Sequence, residues 1–547
     1  MRMSRARGFV TTATAIALAL SVTSCAESKR DSGSKQGRGG GTFAYATSDD
    51  PASLDPVFTQ DMQSGLVAAQ VFEGLTGVAS GDVRAEPRLA TGWTVGKDGL
   101  AYRFTLREGV TFHDGAPFDA EAVCFNFDRW YNLPRTAQSA NFAYYYGYFF
   151  HGFATGPTAD SALYKSCTAA GAHEAVIELK KPFAGLIDAL TMPQFAMQSP
   201  KALKKYQDDG ASNPNTTAYS TAHPVGTGPF TLESWDRGKE VVMERNDDYW
   251  GAKAKVDRLV FVSKPDSKER VAALRNGEVN GADSVSPTDV GTLDREGFRV
   301  ETRRPFTLAF LGFNQKRKPL DDPRVRQAIA HAIDRKAVIG ASFPKGTVEA
   351  DQWLPKGMQG WAEDVPEYAN DPEKSRRLLR EAGAVGTSLE LNYQSGGGSA
   401  CLPAPADTLN ILRKQIEAVG LKIKPVAIPS SEFSDRIYGT SDHDIEMSCW
   451  IGQVNLADSF IGLAFGFPSL EWGFDDPELY KDLAHAQTVP GRKEQNEVYA
   501  ALSKRIMQIL PGVPFASSPS SIGLDPEVSG FVASPISQEM FHTVSLG

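Results

Sequence analysis

The chain has 547 residues, with 57 Lys and Arg against 66 Asp and Glu, a formal net charge of -9 and 41% hydrophobic residues. That length supports about two to four domains with large cores, and the composition excludes disorder as the main state. An acidic chain without a long basic run also lacks the clustered Lys and Arg that nucleic-acid phosphates demand.

At the start, Arg2, Arg5 and Arg7 precede an uncharged run from Phe9 to Val22, the order of a secretory signal expected over residues 1–24. The apolar stretch falls short of the about 20 residues a spanning helix needs. It ends in Val22-Thr23-Ser24-Cys25, which resembles the bacterial lipobox and makes Cys25 the expected lipidation site. Residues 25–39 are polar and rich in Gly, Ser and Lys, as expected of a flexible tether.

Beyond it, Thr42 to Thr47 reads as a strand, and Met62 to Phe72 as a helix stopped near Gly74. Tyr102 to Leu106 alternates with period two; Val241–Glu244 and Leu259–Val262 read as strands, and Lys268–Asn276 as a helix stopped at Gly277. Further on, Asp322-Pro323 and Asp371-Pro372 each place a capping carboxylate before a proline at the first helical position. Val325, Ala328, Ile329, Ala332 and Ile333 then share one face, as do Leu409, Leu412, Ile416 and Val419 before Gly420. Helices are also predicted near Pro477–Ala486 and Glu494–Leu510. Helices and strands interleave throughout, so the class is α/β.

Cys25 aside, four cysteines remain, Cys124, Cys167, Cys401 and Cys449. An even number in an exported chain suggests disulfides, and four cysteines allow three pairings. Proximity favours Cys124 with Cys167 and Cys401 with Cys449, each loop contributing about 4 kcal/mol in the chain-entropy model. No C-x-x-C or Cys/His cluster has zinc spacing, and no metal or cofactor is expected.

Several segments, in order, resemble the extracellular solute-binding proteins of bacterial ABC importers, family 5, the peptide- and nickel-binding group. They are Ser53-Leu-Asp-Pro56, Val71-Phe-Glu-Gly-Leu75, Arg88-Leu-Ala-Thr-Gly-Trp93, Asp98 to Arg107, and Gly109-Val-Thr-Phe-His-Asp-Gly115. Further along come Pro224-Val-Gly-Thr-Gly-Pro-Phe230, Glu244-Arg-Asn246 with Tyr249-Trp250, Gly312-Phe-Asn314, and Asp322 to Ala328. Glycines such as Gly109, Gly115, Gly226 and Gly228 suit turns with positive φ, and His113-Asp114 reads as part of a turn rather than a catalytic pair.

The resemblance implies a two-lobed periplasmic-binding-protein-like fold of type II with an inserted subdomain. Residues 40–85, 221–305 and 515–547 are expected to form lobe I, 86–220 the insertion and 306–514 lobe II. It implies a monomeric, membrane-anchored, extracytoplasmic component of an ABC importer that takes a small solute, peptide favoured, between its lobes and passes it to permease subunits. The same fold could bind an oligosaccharide or a chelated metal, or serve a sensing lipoprotein. A secreted hydrolase is the rival class, but no G-x-S-x-G, H-E-x-x-H or G-x-x-x-x-G-K-[ST] is present.

The family's pocket implies candidates Phe58, Thr59 and Gln60 after the Leu-Asp-Pro motif, and Trp450, Gly452, Gln453, Asn455 and Asp458 in a second segment. Trp450 offers a flat face and an N–H donor. Peptide-binding members carry an acid three positions after this tryptophan, to pair with a peptide ammonium, where this chain has Gln453. A neutral amide cannot offset ammonium desolvation as a carboxylate does, which leaves Asp458 as the nearby charge. The aromatic run Tyr144 to Phe150 is expected to pack, with lining of a cleft as the alternative.

Overall fold

The computed structural model describes residues 40–139, 141–207, 212–395 and 399–547. The signal segment, the tether, Cys25, and Gly396 to Gly398 lie outside the described residues. No described helix is long and apolar enough to cross a membrane.

The fold has two lobes, each with its own mixed sheet. The first sheet has seven strands, in the spatial order Arg299–Thr302, Ser521–Leu524, Gly281–Val285, Thr42–Thr47, Arg258–Ser263, Glu240–Arg245 and Phe230–Asp236. The second has six, in the order Val348–Glu349, Gly512–Ser517, Thr307–Phe313, Ile445–Ile451, Ser388–Ser395 and Lys422–Pro429. A four-stranded antiparallel sheet holds Ala90–Val95, Ala101–Leu106, Glu174–Leu179 and Tyr164–Gly171. The disulfide Cys124–Cys167 staples the helix Ala120–Tyr131 to this third sheet, with Cα atoms 5.1 Å apart.

The predicted caps account for the clearest helices. Asp322 accepts from the Arg324 amide at 2.8 Å to open Pro323–Ala332, and Asp371 accepts from Lys374 at 2.9 Å to open Pro372–Glu381. The apolar stripe beginning at Val325 is interrupted after Ala332, because Asp334 caps a separate helix, Arg335–Ser342.

Gly109 and Gly115 do adopt positive φ. Gly226 and Gly228 do not; a Cβ on them would lie 2.1 Å from the Val71 carbonyl and 2.5 Å from that of Gln70. Their smallness permits backbone approach, which corrects the turn expectation. His113-Asp114 forms the expected turn, with Asp114 accepting from the Ala116 amide and from Ser199 Oγ. Burial pulls the His113 pKa down to about 4.

Two segments cross between the large sheets, 303–306 and 518–520, and they are bonded to each other. The Arg303 amide donates to the Ser520 carbonyl at 2.9 Å, and Thr307 Oγ1 to the Ser518 carbonyl at 2.9 Å. The Arg303 guanidinium, only 2% exposed, donates to Asp283 at 2.6 Å and to Glu539 at 2.7 Å. The expected boundary after Pro514 falls inside a strand: Ala516 pairs with Ala309 and Ser517 with Val348, so the second sheet runs on to Ser517.

Candidate functional site

A cleft of about 1020 Å³ lies between the ends of the two large sheets. Ser48, Asp49, Asp266, Lys268 and Ser284 wall one side; Gln394, Ser399, Phe433, Tyr438, Met447 and Ile451 wall the other. Most of these residues sit at or just past the carboxyl ends of strands, where open α/β sheets leave a crevice for ligands. The second disulfide, Cys401–Cys449, is at this wall, with Cα atoms 5.9 Å apart and Cys449 lining the cleft.

The predicted residues are not among those that line this cleft, which takes their neighbours Met62 and Ile451 instead, and Phe58 lines a separate cavity with Asp55 and Arg129. Phe58 is buried under the Arg129 guanidinium, 5.8 Å from its ring centroid, and Arg129 in turn pairs with Asp55 at 2.6 Å. Thr59 is fully buried and spends its hydroxyl on the Pro56 carbonyl at 2.7 Å. Gln60 reaches the Phe142 carbonyl at 3.0 Å.

Trp450 is 37% exposed, but its Nε1 already donates to the Ser459 carbonyl at 3.1 Å, so only the flat face is on offer. Gly452 is pinned by its neighbours, since a Cβ there would meet the Phe306 ring at 2.4 Å. Asn455 is buried, and its Oδ1 has no partner among the described residues. Gln453 hydrogen-bonds Tyr145, which joins the Trp450 segment to the aromatic helix Tyr144–Phe149.

Asp458 is buried and engaged by Tyr148, by Gln487 at 2.8 Å and by Tyr499; burial nonetheless raises its pKa. The aromatic run divides by position. Tyr146, Phe149 and Phe150 are core, while Tyr144 and Tyr148 are half-buried and face the second lobe through Glu471 and Asp458.

A further feature lies on the second sheet. Glu446, on the strand Ile445–Ile451, is 1% exposed and lies against Glu471, which is half-buried. Neither oxygen of Glu446 meets a hydroxyl, amide or cationic donor among the described residues. Burial raises the Glu446 pKa; burial and then the Glu446 charge raise that of Glu471. A carboxyl beside a carboxyl supplies a donor only when one of them holds a proton.

The model of the bacterial extracellular solute-binding proteins, family 5, matches residues 84–468. The chain belongs to that family. It is 29% identical over 531 residues to a probable di/tripeptide-binding protein 5 of Pseudomonas aeruginosa, covering 92% of this chain and 95% of the relative. It is 27% identical over 526 residues to the dipeptide-binding protein of Escherichia coli, covering 92% and 94%. Among solved structures, a dipeptide-binding protein from Pseudoalteromonas in complex with Met-Leu superposes with a TM-score of 0.78 at 22% identity, over 92% of this chain and all of that one.

Most of the motifs that this family 5 chain displays build scaffold. Glu73 of the Val71–Leu75 motif is buried and accepts from Thr227 at 2.9 Å, Tyr249 at 2.8 Å and Trp250 at 2.7 Å, so three motifs meet at one carboxylate. Asp55 of the Leu-Asp-Pro motif holds Arg129 in the same way. Sequence reasoning missed Glu446 and Glu471. The available signal was an acid in a run of strand formers, Ile445-Glu-Met-Ser-Cys-Trp-Ile451, where a charge is costly unless it has a purpose.

Proposed function

We propose that this protein is the membrane-anchored, extracytoplasmic solute-binding component of an ABC importer, capturing a small peptide between its lobes for delivery to a permease. The observation that carries the reading is the 1020 Å³ cleft walled by both large sheets, which are joined by two crossing segments about which such lobes could close. Contacts from one solute to both walls favour a closed state by their difference in affinity, so capture and closure are one event. The names of the relatives, which bind di- and tripeptides, support peptide as the solute class.

In this reading residues 40–85, 221–305 and the chain beyond Ser517 form lobe I, 86–220 its insertion, and 306–517 lobe II. The protein acts as a monomer, and Cys25 carries the lipid that holds it at the outer face of the cell membrane. The solute contacts include the Trp450 face, Gln453 and Gln60. The peptide is bound and released with its bonds unchanged.

Native mass spectrometry of the protein from its own host, followed by calorimetry with a panel of dipeptides, tests the reading. A co-purified peptide, saturable binding and a smaller radius of gyration with ligand are expected. A sugar or metal chelate as the bound species, or hydrolysis of the peptide, would replace this reading.

A further inference from the structure

We infer that the Glu446–Glu471 pair is a subsite for a protonated nitrogen group, ammonium or guanidinium, of the solute. The inference rests on the peptide reading above and names the part of the peptide that the site selects.

The first argument is burial without a partner. Glu446 is 1% exposed and its two oxygens meet no hydroxyl, amide or cationic donor among the described residues; the partner beside them is the Glu471 carboxyl, which donates only when it holds a proton. A buried carboxyl in that state costs several times an ordinary hydrogen bond unless a proton or a cation arrives. His443 packs nearby, its Nε2 3.0 Å from the Glu471 carbonyl, but burial lowers its pKa and leaves it neutral. Tyr438 lies in the field of both acids, and Tyr144 in that of Glu471 and, from its other side, of Asp458. Neither acid forms an ion pair with a described Lys, Arg or His.

The second argument is access. Glu446, Ser448 and Trp450 alternate along one strand and so share a face. Tyr438 hydrogen-bonds Ser448, is 45% exposed and also lines the cleft, which makes it the link between that face and the solute. Glu471 is half-buried, with exposed Leu470 beside it. An acidic pair approached past the ring of Tyr438 suits a cation on a short apolar stem, because ring faces also attract cations.

The third argument is internal. Where this chain brings two other buried acids together, Asp283 and Glu539, it places the Arg303 guanidinium between them. The Glu446–Glu471 pair has the acids without the cation. It also offers the negative charge that Gln453 does not supply.

The test is calorimetry at pH 7 with four probes: Ala-Arg, Ala-citrulline, N-acetyl-Ala-Arg and N-acetyl-Ala-citrulline. Wild type and the E446Q and E471Q variants are measured in parallel, with folding checked by circular dichroism melts. A charge-assisted contact in a closed site predicts that one cation, side-chain or amino-terminal, improves wild-type affinity by about tenfold or more. That preference is expected to shrink to about twofold in folded E446Q or E471Q. Loss on acetylation assigns the pair to the amino terminus, and loss with citrulline to the side chain.

Equal wild-type affinity for all four probes would overturn the inference while leaving the peptide reading intact. So would a cation preference undiminished in both variants. Absence of any peptide binding would overturn both. If neither variant folds, the four-probe comparison on wild type alone decides: equal affinities overturn the inference, and a tenfold cation preference supports it.

Discussion

Two acid pairs in this chain, one wholly buried and one partly so, have opposite surroundings. Asp283 and Glu539 flank Arg303 at the crossing between the lobes, and all three are at least 98% buried. Glu446 and Glu471 lie behind the cleft-lining Tyr438 and Ser448 and, among the described residues, have no cation between them. The first pair is complete within the protein, so it acts on stability and on the geometry of the crossing. The second is incomplete and can be completed from outside. A buried charge therefore marks a site only when its counter-charge is missing.

The largest effect should come from breaking the complete pair. Arg303→Leu leaves two buried carboxylates without their cation and should cost about 3–5 kcal/mol, read from urea unfolding monitored by tryptophan fluorescence. An effect below about 1 kcal/mol would mean that the crossing does not depend on this network. Glu73→Ala comes next: three donors lose one acceptor, with an expected cost of about 3 kcal/mol in the same assay. Trp450→Ala should leave stability nearly unchanged and weaken binding of a bound dipeptide by about 2 kcal/mol, measured by calorimetry. Unchanged affinity would remove Trp450 from the site.

A smaller effect distinguishes the incomplete pair directly. Its carboxyl pKa values are raised in the folded protein, so in the range above the ordinary carboxylate value the folded state holds more protons than the unfolded one. Stability without ligand is then fully present at low pH with respect to these groups and is lost as pH rises through the folded values. E446Q should flatten that decline in a series of melts from pH 5 to about 8. A variant that declines as steeply as wild type would assign the titration to other groups. The smallest effect is expected from Gln453→Asp. It adds a carboxylate close to Tyr145 and should improve affinity for free amino termini by less than about tenfold if the Glu446–Glu471 pair already takes that charge.

The scaffold was legible because its signals are local. Asp322-Pro323 and Asp371-Pro372 announce helices through a cap and a fixed φ, and both form where expected. The cysteine pairings follow from neighbours in sequence, and the structure contains both. The site was less legible because it is non-local. Trp450 and Gln453 are visible in the chain, yet the sequence does not say that Ser459 consumes the indole N–H or that Tyr148 engages Asp458, 310 residues away. Gly226 and Gly228 illustrate the same limit: their composition suggested turns, whereas a distant backbone at Gln70 and Val71 is the reason for them. Glu446 was invisible for a third reason, since its meaning lies in what is absent around it.

The Cys401–Cys449 bond has a practical consequence. It fastens the loop that carries Ser399 and Ala400 to the strand Ile445–Ile451, and Cys449 belongs to the wall of the cleft. Recombinant material made in a reducing cytoplasm would carry two thiols there in place of a clasp, and the loop would no longer be tied to that wall. Affinities recorded on such preparations would describe a protein that lacks one of its two covalent ties.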